Sequence, residues 1–401
     1  MGSEKDGTAS PGMAQQVKPS WGTRILNGAA SGLSSPFGSR KNSSAQRLSL
    51  MDKDAPRHPL ALPTGGMGCD QQQLAEQRGL AMVVVKQIGM NVLRGKDLLY
   101  VTFPMSTAEP RTALQKFALS CSLAPDLLQK AADTSDPVAR IKLVMAFYVA
   151  GMSMTSGIKK PLNPLLGETL EAQLDHQTML YMEQTSHHPP VSSWVLRGRG
   201  YQYYGYMNYE ARFGLNEVKL MHSGGRRIDF ADGSSVSFTN PWDSFSGVLF
   251  GTYTHNTYGS VLFSDEKNHI SCELKFGDSK NELSDFFSGT ICRDADTPQD
   301  EQLGIVTGSW LSYFDCDGER VWTINKHHMY TAHPLSNILP SDSSRRPDLM
   351  LFLDGKLEEA ADAKIALEER QRNDRKLRQA ASTSSGIHGS ASSNSLRKDD
   401  G

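Results

Sequence analysis

Short strand-like segments recur along the middle of the chain, from about Gln177 to Lys326, and they limit what it can fold into. The segments in question are TMLYMEQ, YQYYGYMNY, NEVKLMH, SGVLFGTYT, GSVLF, HISCELKF and IVTGSW. They follow one another at roughly 8 to 12 residue spacing, with Gly, Asn and Asp between them. This spacing predicts a β-sandwich or β-barrel rather than a series of βαβ units.

Helical patterns lie on both sides of the strand-rich region. A helix is predicted from Gln71 to about Leu93, because its apolar residues share one face, namely Ala81, Val84, Val85, Ile88 and Val92. Two more stretches, Arg111 to Ala132 and Pro137 to about Met154, are interpreted as helices of the core. A last helix is predicted to begin near Leu357.

Both ends of the chain lack an apolar period. Residues 1–70 are rich in Gly, Ser, Pro and Ala, and residues 381–401 are rich in Ser. Such compositions are typical of disorder. We therefore predict one ordered domain at 71–380 and two tails, of which the first is expected to be dispensable for ligand binding.

Charge and cysteine content narrow the class of protein. The net charge is -2, from 42 Lys and Arg against 44 Asp and Glu, which gives no global reason to expect nucleic acid. The five cysteines are widely spaced without a CxxC pair, which favours free thiols in a reducing compartment. The N-terminus lacks the apolar core of a signal peptide, and Asp6 breaks the myristoylation pattern. With no run of about 18 apolar residues, a cytoplasmic protein is expected.

Two adjacent histidines precede two prolines in EQTSHHPPVS, Glu183 to Ser192. Pro189 disfavours the helical region for His188, so the imidazoles lie on a stiff, non-helical segment. A metal site would need further ligands, and neither a Cys nor a His at helical or hairpin spacing lies near in sequence. Rigid donors of this kind suit an anion, above all a phosphate.

Two further segments carry polar groups in regular patterns. KKPLNPLLGET, Lys159 to Thr169, has a basic pair, two prolines and an Asn, which alone is typical of a turn-rich connection. Lys364, Glu368 and Arg372 are spaced i, i+4 and i+8, so they share one helical face. On spacing alone they are a solvated salt-bridge ladder.

Together these segments resemble the oxysterol-binding-protein-related lipid-transfer domain family. EQTSHHPPVS is similar to its defining motif, KKPLNPLLGE to the companion motif, and LEERQR to the end of its domain. GKDLLYVTFPMSTAEP, Gly95 to Pro110, resembles its opening segment. The resemblance runs from about Gln71 to Arg378. It is to a short form, because the chain before Gln71 leaves no room for a pleckstrin-homology domain.

The resemblance implies a mainly β fold with flanking α-helices. The expected architecture is an incomplete antiparallel β-barrel that encloses a lipid tunnel, with an N-terminal helical lid at about 72–104 and C-terminal helices. The implied ligand is phosphatidylinositol 4-phosphate, with no cofactor, metal or catalytic residue. The implied headgroup-binding residues are Lys160, Leu162, Asn163, His187, His188, Lys364, Glu368 and Arg372. Of these, the two histidines would hold the 4-phosphate.

Elementary chemistry is consistent with this implication. A phosphate monoester carries about -1.5 to -2 charges, so it needs convergent cations: Arg372 offers a fork and Lys160 a point charge. Each buried CH₂ contributes about 0.8 kcal/mol, so a chain of about sixteen carbons costs on the order of 13 kcal/mol to expose to water. A carrier must therefore enclose the chain and cover the tunnel mouth.

The family resemblance implies exchange of this lipid for a second one, a sterol or phosphatidylserine, at organelle membranes that the protein contacts peripherally. Met152 stands where the family often has Tyr, which counts weakly against a sterol. An alternative is a lipid-regulated sensor that binds the same lipids without bulk transfer. A lipid esterase is disfavoured, because the chain contains no GxSxG motif.

Overall fold

The computed structural model describes residues 52, 54–88, 104–277, 283–293 and 301–384. The second half of the predicted lid, residues 89–103, lies outside the described residues, as do the Ser-rich end of the chain and residues 1–51. The helices are α1 (Gln71–Ile88), α2 (Ala113–Ser120), α3 (Gln129–Asp133), α4 (Pro137–Thr155), α5 (Pro347–Leu353) and α6 (Leu357–Ser384). Single turns lie at Met105–Thr107, Ala124–Leu128 and Ser343–Arg345.

The strands are β1 (Ala108–Thr112), β2 (Lys160–Leu162), β3 (Thr169–Gln173), β4 (Met179–His187), β5 (Pro190–Gly198), β6 (Tyr201–Phe213), β7 (Glu217–Ser223), β8 (Arg226–Phe230), β9 (Ser235–Phe238), β10 (Trp242–Ser246), β11 (Thr254–Asp265), β12 (Ile270–Phe276), β13 (Phe286–Arg293), β14 (Glu301–Ser309), β15 (Tyr313–Cys316), β16 (Glu319–Thr323) and β17 (His333–Pro334). β1 and β2 form a separate parallel pair.

One 15-stranded sheet dominates the fold. Thirteen of its strands follow the order β16-β15-β14-β13-β12-β11-β10-β7-β6-β5-β4-β3-β17, β8 and β9 lie off this path, and its pairs are antiparallel. Among the described strands, β16 and β17 end this path and are not neighbours, so the barrel is open. The predicted incomplete antiparallel β-barrel with flanking helices is confirmed.

Two long strands hold the sheet together by pairing with different neighbours along their length. Residues Tyr201–Gly205 of β6 pair with β8, whereas Asn208–Phe213 pair with β7. Likewise β11 pairs with β10 through Thr254–Tyr258 and with β9 through Phe263–Ser264. The hairpin of β8 and β9 therefore connects β6 to β11 at one end, and the pair of β7 and β10 connects them at the other. Strand β6 contributes buried side chains along both parts.

Helix α4 fills part of the space inside the curled sheet. Asp136 caps its N-terminus by accepting a hydrogen bond from Val138 N at 2.9 Å. Tyr148 packs edge-on against Phe238, with ring centroids 5.4 Å apart. By length and composition alone α4 could span a membrane, but 61% of that apolar window is buried inside the fold. It is a core helix here, as predicted from its sequence.

The segment at 54–70, which composition assigned to a disordered tail, packs against the barrel. Arg57 forms an ion pair with the fully buried Asp285, with nitrogen and oxygen 3.0 Å apart. Met67 is only 2% exposed and pairs in antiparallel fashion with His255. The boundary at residue 70 is therefore wrong for these residues, because composition carries no record of pairing with a distant strand.

Two element predictions also need correction. The stretch from Arg111 to Ala132 is not one helix: α2 ends at Ser120, and Pro125 follows in a separate turn. SGVLFGTYT is mostly a loop between β10 and β11, where Gly247 and Gly251 have φ of +70° and +83°. Glycine adopts such a positive φ at little steric cost, and these two glycines interrupt the extended backbone that a strand requires.

Candidate functional site

A cavity of about 450 Å³ lies inside the curled sheet. Its walls come from the core helices α2 and α4 and from the inner faces of the strands, and most of the lining surface is apolar. The volume falls within the range of small-molecule and cofactor pockets, about 300–1,000 Å³. The sheet and α4 therefore enclose a space for an apolar ligand.

Helix α1 lies over this cavity and is tied down on two sides. Asp70 caps it by accepting from the backbone N–H of Gln72 at 2.9 Å. Gln77 donates from Nε2 to the carbonyl of Thr107 at 3.1 Å, and it also lines the cavity. Arg78 donates to the carbonyl of Gly247 at 2.8 Å and also to that of Gly251. The described part of the predicted lid therefore lies against the cavity and is held there by hydrogen bonds.

The histidine pair sits at the hairpin between β4 and β5. His187 pairs with Pro190, and the intervening His188–Pro189 peptide bond is cis. The imidazole rings have centroids 4.6 Å apart and are inclined at 73°. His187 lines the cavity, and its Nδ1 is buried without a hydrogen-bond partner among the described residues. A buried, unpaired ring nitrogen is costly unless a ligand satisfies it.

The pKa of both imidazoles is lowered from its usual value. Burial lowers the pKa of His187, and the neighbouring His188 lowers it further, while the Pro164 backbone and the Glu368 carboxylate act in the opposite direction. Burial and the positive charge of Arg375 lower the pKa of His188. An anion at this place would favour the protonated forms.

The loop that begins with β2 lies beside the histidines. Lys160 and Asn163 line the cavity. The side chain of Leu162 does not, because it is 3% exposed and packs in a second, smaller core. The other buried members of that core are Met105, Ala108, Leu349 and Ala360. Leu162 therefore anchors the loop, whose neighbouring residues face the cavity.

A buried ionic network holds the same loop from behind. Arg346 donates to the carbonyl of Asn163 at 2.8 Å and to Glu168 Oε2 at 2.8 Å. Its other ion pair, with Asp348, is 2.6 Å long. Glu168 also accepts from the backbone of Leu165 at 2.9 Å. The neighbouring carboxylates raise the pKa of Arg346 against the effect of burial, so the network stays charged and the loop is fixed.

The three predicted residues of α6 form the salt-bridge ladder that their spacing indicates. Lys364 Nζ lies 2.7 Å from Glu368 Oε1, and Arg372 Nη1 lies 4.0 Å from Glu368 Oε2. Their side chains are outside the cavity lining. The charge of Glu368 nevertheless acts on His187, so this face of α6 lies near the hairpin. Of the predicted residues, Lys160, Asn163 and His187 thus line the cavity, and the ladder lies outside its lining.

Four residues in or near the cavity lining were missed by sequence reasoning. Lys159, Gln184 and Ser192 line the cavity, and Ser192 Oγ donates to Gln184 Oε1 at 2.6 Å. Arg375 acts electrostatically on both histidines. Signals for two of them were present: Lys159 adjoins Lys160, and Arg375 follows Arg372 by three residues, which puts both arginines on one helical face.

An open antiparallel barrel, wrapped around an apolar cavity and covered by a helix, is the architecture of a lipid-binding domain. The family model described as oxysterol-binding protein matches residues 88–388. Oxysterol-binding protein 9 of Dictyostelium discoideum is 35% identical over 333 residues, which span 77% of each chain. The chain belongs to the oxysterol-binding protein family.

Further similarities fit this membership. Human oxysterol-binding protein-related protein 5 is 32% identical over 248 residues, which cover 59% of this chain and 27% of that protein. The Osh1 ORD domain in complex with ergosterol superposes with a TM-score of 0.65 at 24% identity, over 81% of this chain and 84% of that one. The Osh3 ORD of Saccharomyces cerevisiae in complex with PI(4)P gives 0.63 at 22% identity, over 82% and 89%. At these identities the structures show a shared fold.

Proposed function

We propose that this protein binds phosphatidylinositol 4-phosphate and exchanges it for a second lipid, a sterol or phosphatidylserine, between membranes. The observation that carries the proposal is that Lys160, Asn163 and His187 line the same, mainly apolar cavity. The complexes of the related folds, one with PI(4)P and one with ergosterol, support the same two classes of ligand.

The headgroup roles follow from the chemistry of each side chain. His187 offers its buried Nδ1, which has no hydrogen-bond partner among the described residues, and Lys160 offers an ammonium in the same cavity. Charge-assisted hydrogen bonds to phosphate are about twice as strong as neutral ones. Asn163 can donate to and accept from inositol hydroxyls. His188 would complete the phosphate contact from the hairpin tip.

The ladder on α6 would close over the headgroup from outside. Arg372 is 61% exposed on its side chain, so its fork is accessible to a phosphate. Glu368 repels phosphate, so we assign it to inositol hydroxyls and to the orientation of Lys364, its partner at 2.7 Å. Leu162 contributes by holding the loop through its packing in the smaller core.

A lipid extraction assay tests the proposal. The full chain is mixed with liposomes that contain phosphatidylinositol 4-phosphate, sterol or phosphatidylserine in turn, and soluble lipid is counted after the liposomes are removed. Extraction of the phosphoinositide and of one other lipid supports exchange and identifies the second cargo. Extraction of the phosphoinositide alone favours the lipid-regulated sensor, and extraction of neither contradicts the proposal.

The histidine assignment has its own test. His187→Ala with His188→Ala should reduce phosphoinositide extraction at least tenfold and leave the second lipid bound, because only the former carries a phosphate monoester. The matched control is His176→Ala with His328→Ala, which removes two exposed imidazoles that are not part of the cavity lining. Equal extraction by both double variants would remove the headgroup assignment.

A further inference from the structure

A second polar group lies in the cavity wall, away from the histidine hairpin. Arg226, the first residue of β8, lines the cavity. Its guanidinium donates from Nη1 to Tyr203 Oη at 2.7 Å and from Nε to Asn240 Oδ1 at 2.6 Å. Its remaining polar contact is weak, because Nη2 lies 3.9 Å from the sulfur of Met207. Donor capacity on the guanidinium is therefore left for a ligand.

In the described part of the chain, Arg226 forms no ion pair with a carboxylate. Asp243 also lines the cavity, but its oxygens are engaged elsewhere. Oδ2 lies 2.9 Å from His222 Nε2, and Oδ1 accepts from Thr257 Oγ1 at 2.7 Å. Against the effect of burial, the adjacent His222 and His255 hold the pKa of Asp243 well below its usual range. The guanidinium charge is thus left without an adjacent counter-charge, which is costly in an apolar interior.

Aromatic rings surround the guanidinium in place of a counter-ion. Its central carbon lies 5.3 Å from the ring centroid of Trp194, 5.4 Å from that of Tyr148 and 5.7 Å from that of Phe117. Such contacts stabilise a cation but leave its in-plane N–H groups available. Trp194 adds an observation of its own: it is 4% exposed, and its Nε1 has no hydrogen-bond partner among the described residues.

The guanidinium lies away from the histidine hairpin along the strands. Arg226 is opposite Gly205 on β6, which in turn is opposite Trp194 on β5. Trp194 follows Pro190 by four residues along β5, about 13 Å at the usual strand rise. Pro190 is the register partner of His187. A headgroup held at the hairpin and a group held by Arg226 would therefore occupy separate positions along one strand.

We propose that Arg226, with the hydroxyl of Tyr203 beside it, binds the terminal carboxylate of an apolar ligand that enters the cavity acid end first. A carboxylate accepts two parallel N–H bonds from a guanidinium and supplies the missing negative charge. The Tyr203 hydroxyl, which accepts from Arg226, keeps its own proton to donate. The apolar remainder of the ligand fills the cavity. This site rests on the proposed function in one respect only, because both proposals place a lipid in the same cavity.

Fluorescent binding of cis-parinaric acid and of its methyl ester to the full chain tests the site. The two probes share one hydrocarbon chain and differ in charge. The wild-type protein should bind the acid at least tenfold more tightly than the ester. Arg226→Met, which keeps apolar volume but removes the charge, should abolish that preference, and Arg226→Lys should keep part of it. Equal binding of acid and ester, or of neither, by the wild type overturns the proposal.

The matched control is Arg227→Met, which removes the same charge from the next residue. Arg227 pairs with Asp229 at 2.6 Å and is outside the cavity lining, so its loss should leave the acid preference at the wild-type value. If Arg226 only supported the aromatic rings, Arg226→Met would weaken both probes alike, and that result overturns the proposal. If the wild-type protein extracts phosphoinositide but does not prefer the acid, only this site is contradicted. If it prefers the acid but extracts no phosphoinositide, only the proposed function is contradicted.

Discussion

At the scale of single residues, the charge of His187 and His188 depends on what lies beside them. Desolvation lowers the pKa of both imidazoles, so the free protein protonates each of them at a lower pH than an ordinary histidine. A bound phosphate raises the same pKa values, because an adjacent opposite charge favours the protonated form. Binding of a phosphate would therefore be coupled to proton uptake by the histidines, so the affinity for it would depend on pH.

The sign of this linkage gives a prediction. Since the pKa of His187 and His188 is higher with phosphate bound than without it, affinity should rise as pH falls from about 8 to 6.5. The limit for each proton taken up is about tenfold per pH unit. Titrating phosphoinositide affinity across this range checks it. The variant with both histidines replaced by Ala should show a flat profile, and an equally steep profile in that variant would contradict the linkage.

Glu168 carries a second prediction at this scale. Its side chain is 1% exposed and pairs with Arg346, which is 6% exposed. Glu168→Ala removes one of the two carboxylates that pair with the buried Arg346, and Asp348 remains as the other, so it should lower the free energy of unfolding by about 3 kcal/mol. Urea denaturation measures this. The control Glu183→Ala, on the exposed face of β4, should change stability by less than about 0.5 kcal/mol.

At the scale of elements, three hydrogen bonds from described side chains hold α1 over the cavity. Arg78 donates to two carbonyls of the loop between β10 and β11, and Gln77 donates to the carbonyl of Thr107. The loop itself is fixed by Asn216, whose Nδ2 donates to the carbonyl of Phe250 at 2.8 Å. A cover attached by a few hydrogen bonds can open without unfolding the barrel.

Opening of this cover should depend on Arg78. Arg78→Met removes its hydrogen bonds to Gly247 and Gly251, so bound lipid should leave several-fold faster while the unfolding midpoint stays nearly constant. Stopped-flow release of a fluorescent lipid into excess acceptor liposomes measures the rate. Gln72→Met, on the exposed side of α1, is the matched control. If both variants release lipid at the wild-type rate, Arg78 does not hold the cover.

At the scale of the whole molecule, the ordered unit begins before the lid. Asp285 is fully buried and accepts from Arg57 at 3.0 Å, from the backbone of Gly66 at 2.9 Å, and also from Ser309. Two of these donors precede residue 70. The segment 54–70 therefore supplies the positive charge that pairs with Asp285, and it also attaches α1 to the barrel.

Truncation at two positions tests this boundary. Removing residues 1–51 should leave the free energy of unfolding unchanged within about 0.5 kcal/mol. Removing residues 1–70 should lower it by at least about 3 kcal/mol, because Asp285 loses its ionic partner. Denaturant unfolding of both forms decides it. Arg57→Met in the full chain should reproduce much of the second effect, and two equally stable truncations would restore the boundary at residue 70.

The sequence by itself determined the mainly β class, the core helix Pro137–Thr155 and the motifs that carry the family resemblance. Each of these depends on local periodicity or on residues adjacent in the chain. Tertiary structure decided the contacts between residues far apart in sequence. These are the packing of 54–70 on the barrel, the burial of Leu162 in the smaller core, and the hydrogen bonds of Arg226 to Tyr203 and Asn240. Pairing between distant strands and the desolvation of a charge arise only when the chain closes on itself, so no local pattern records them.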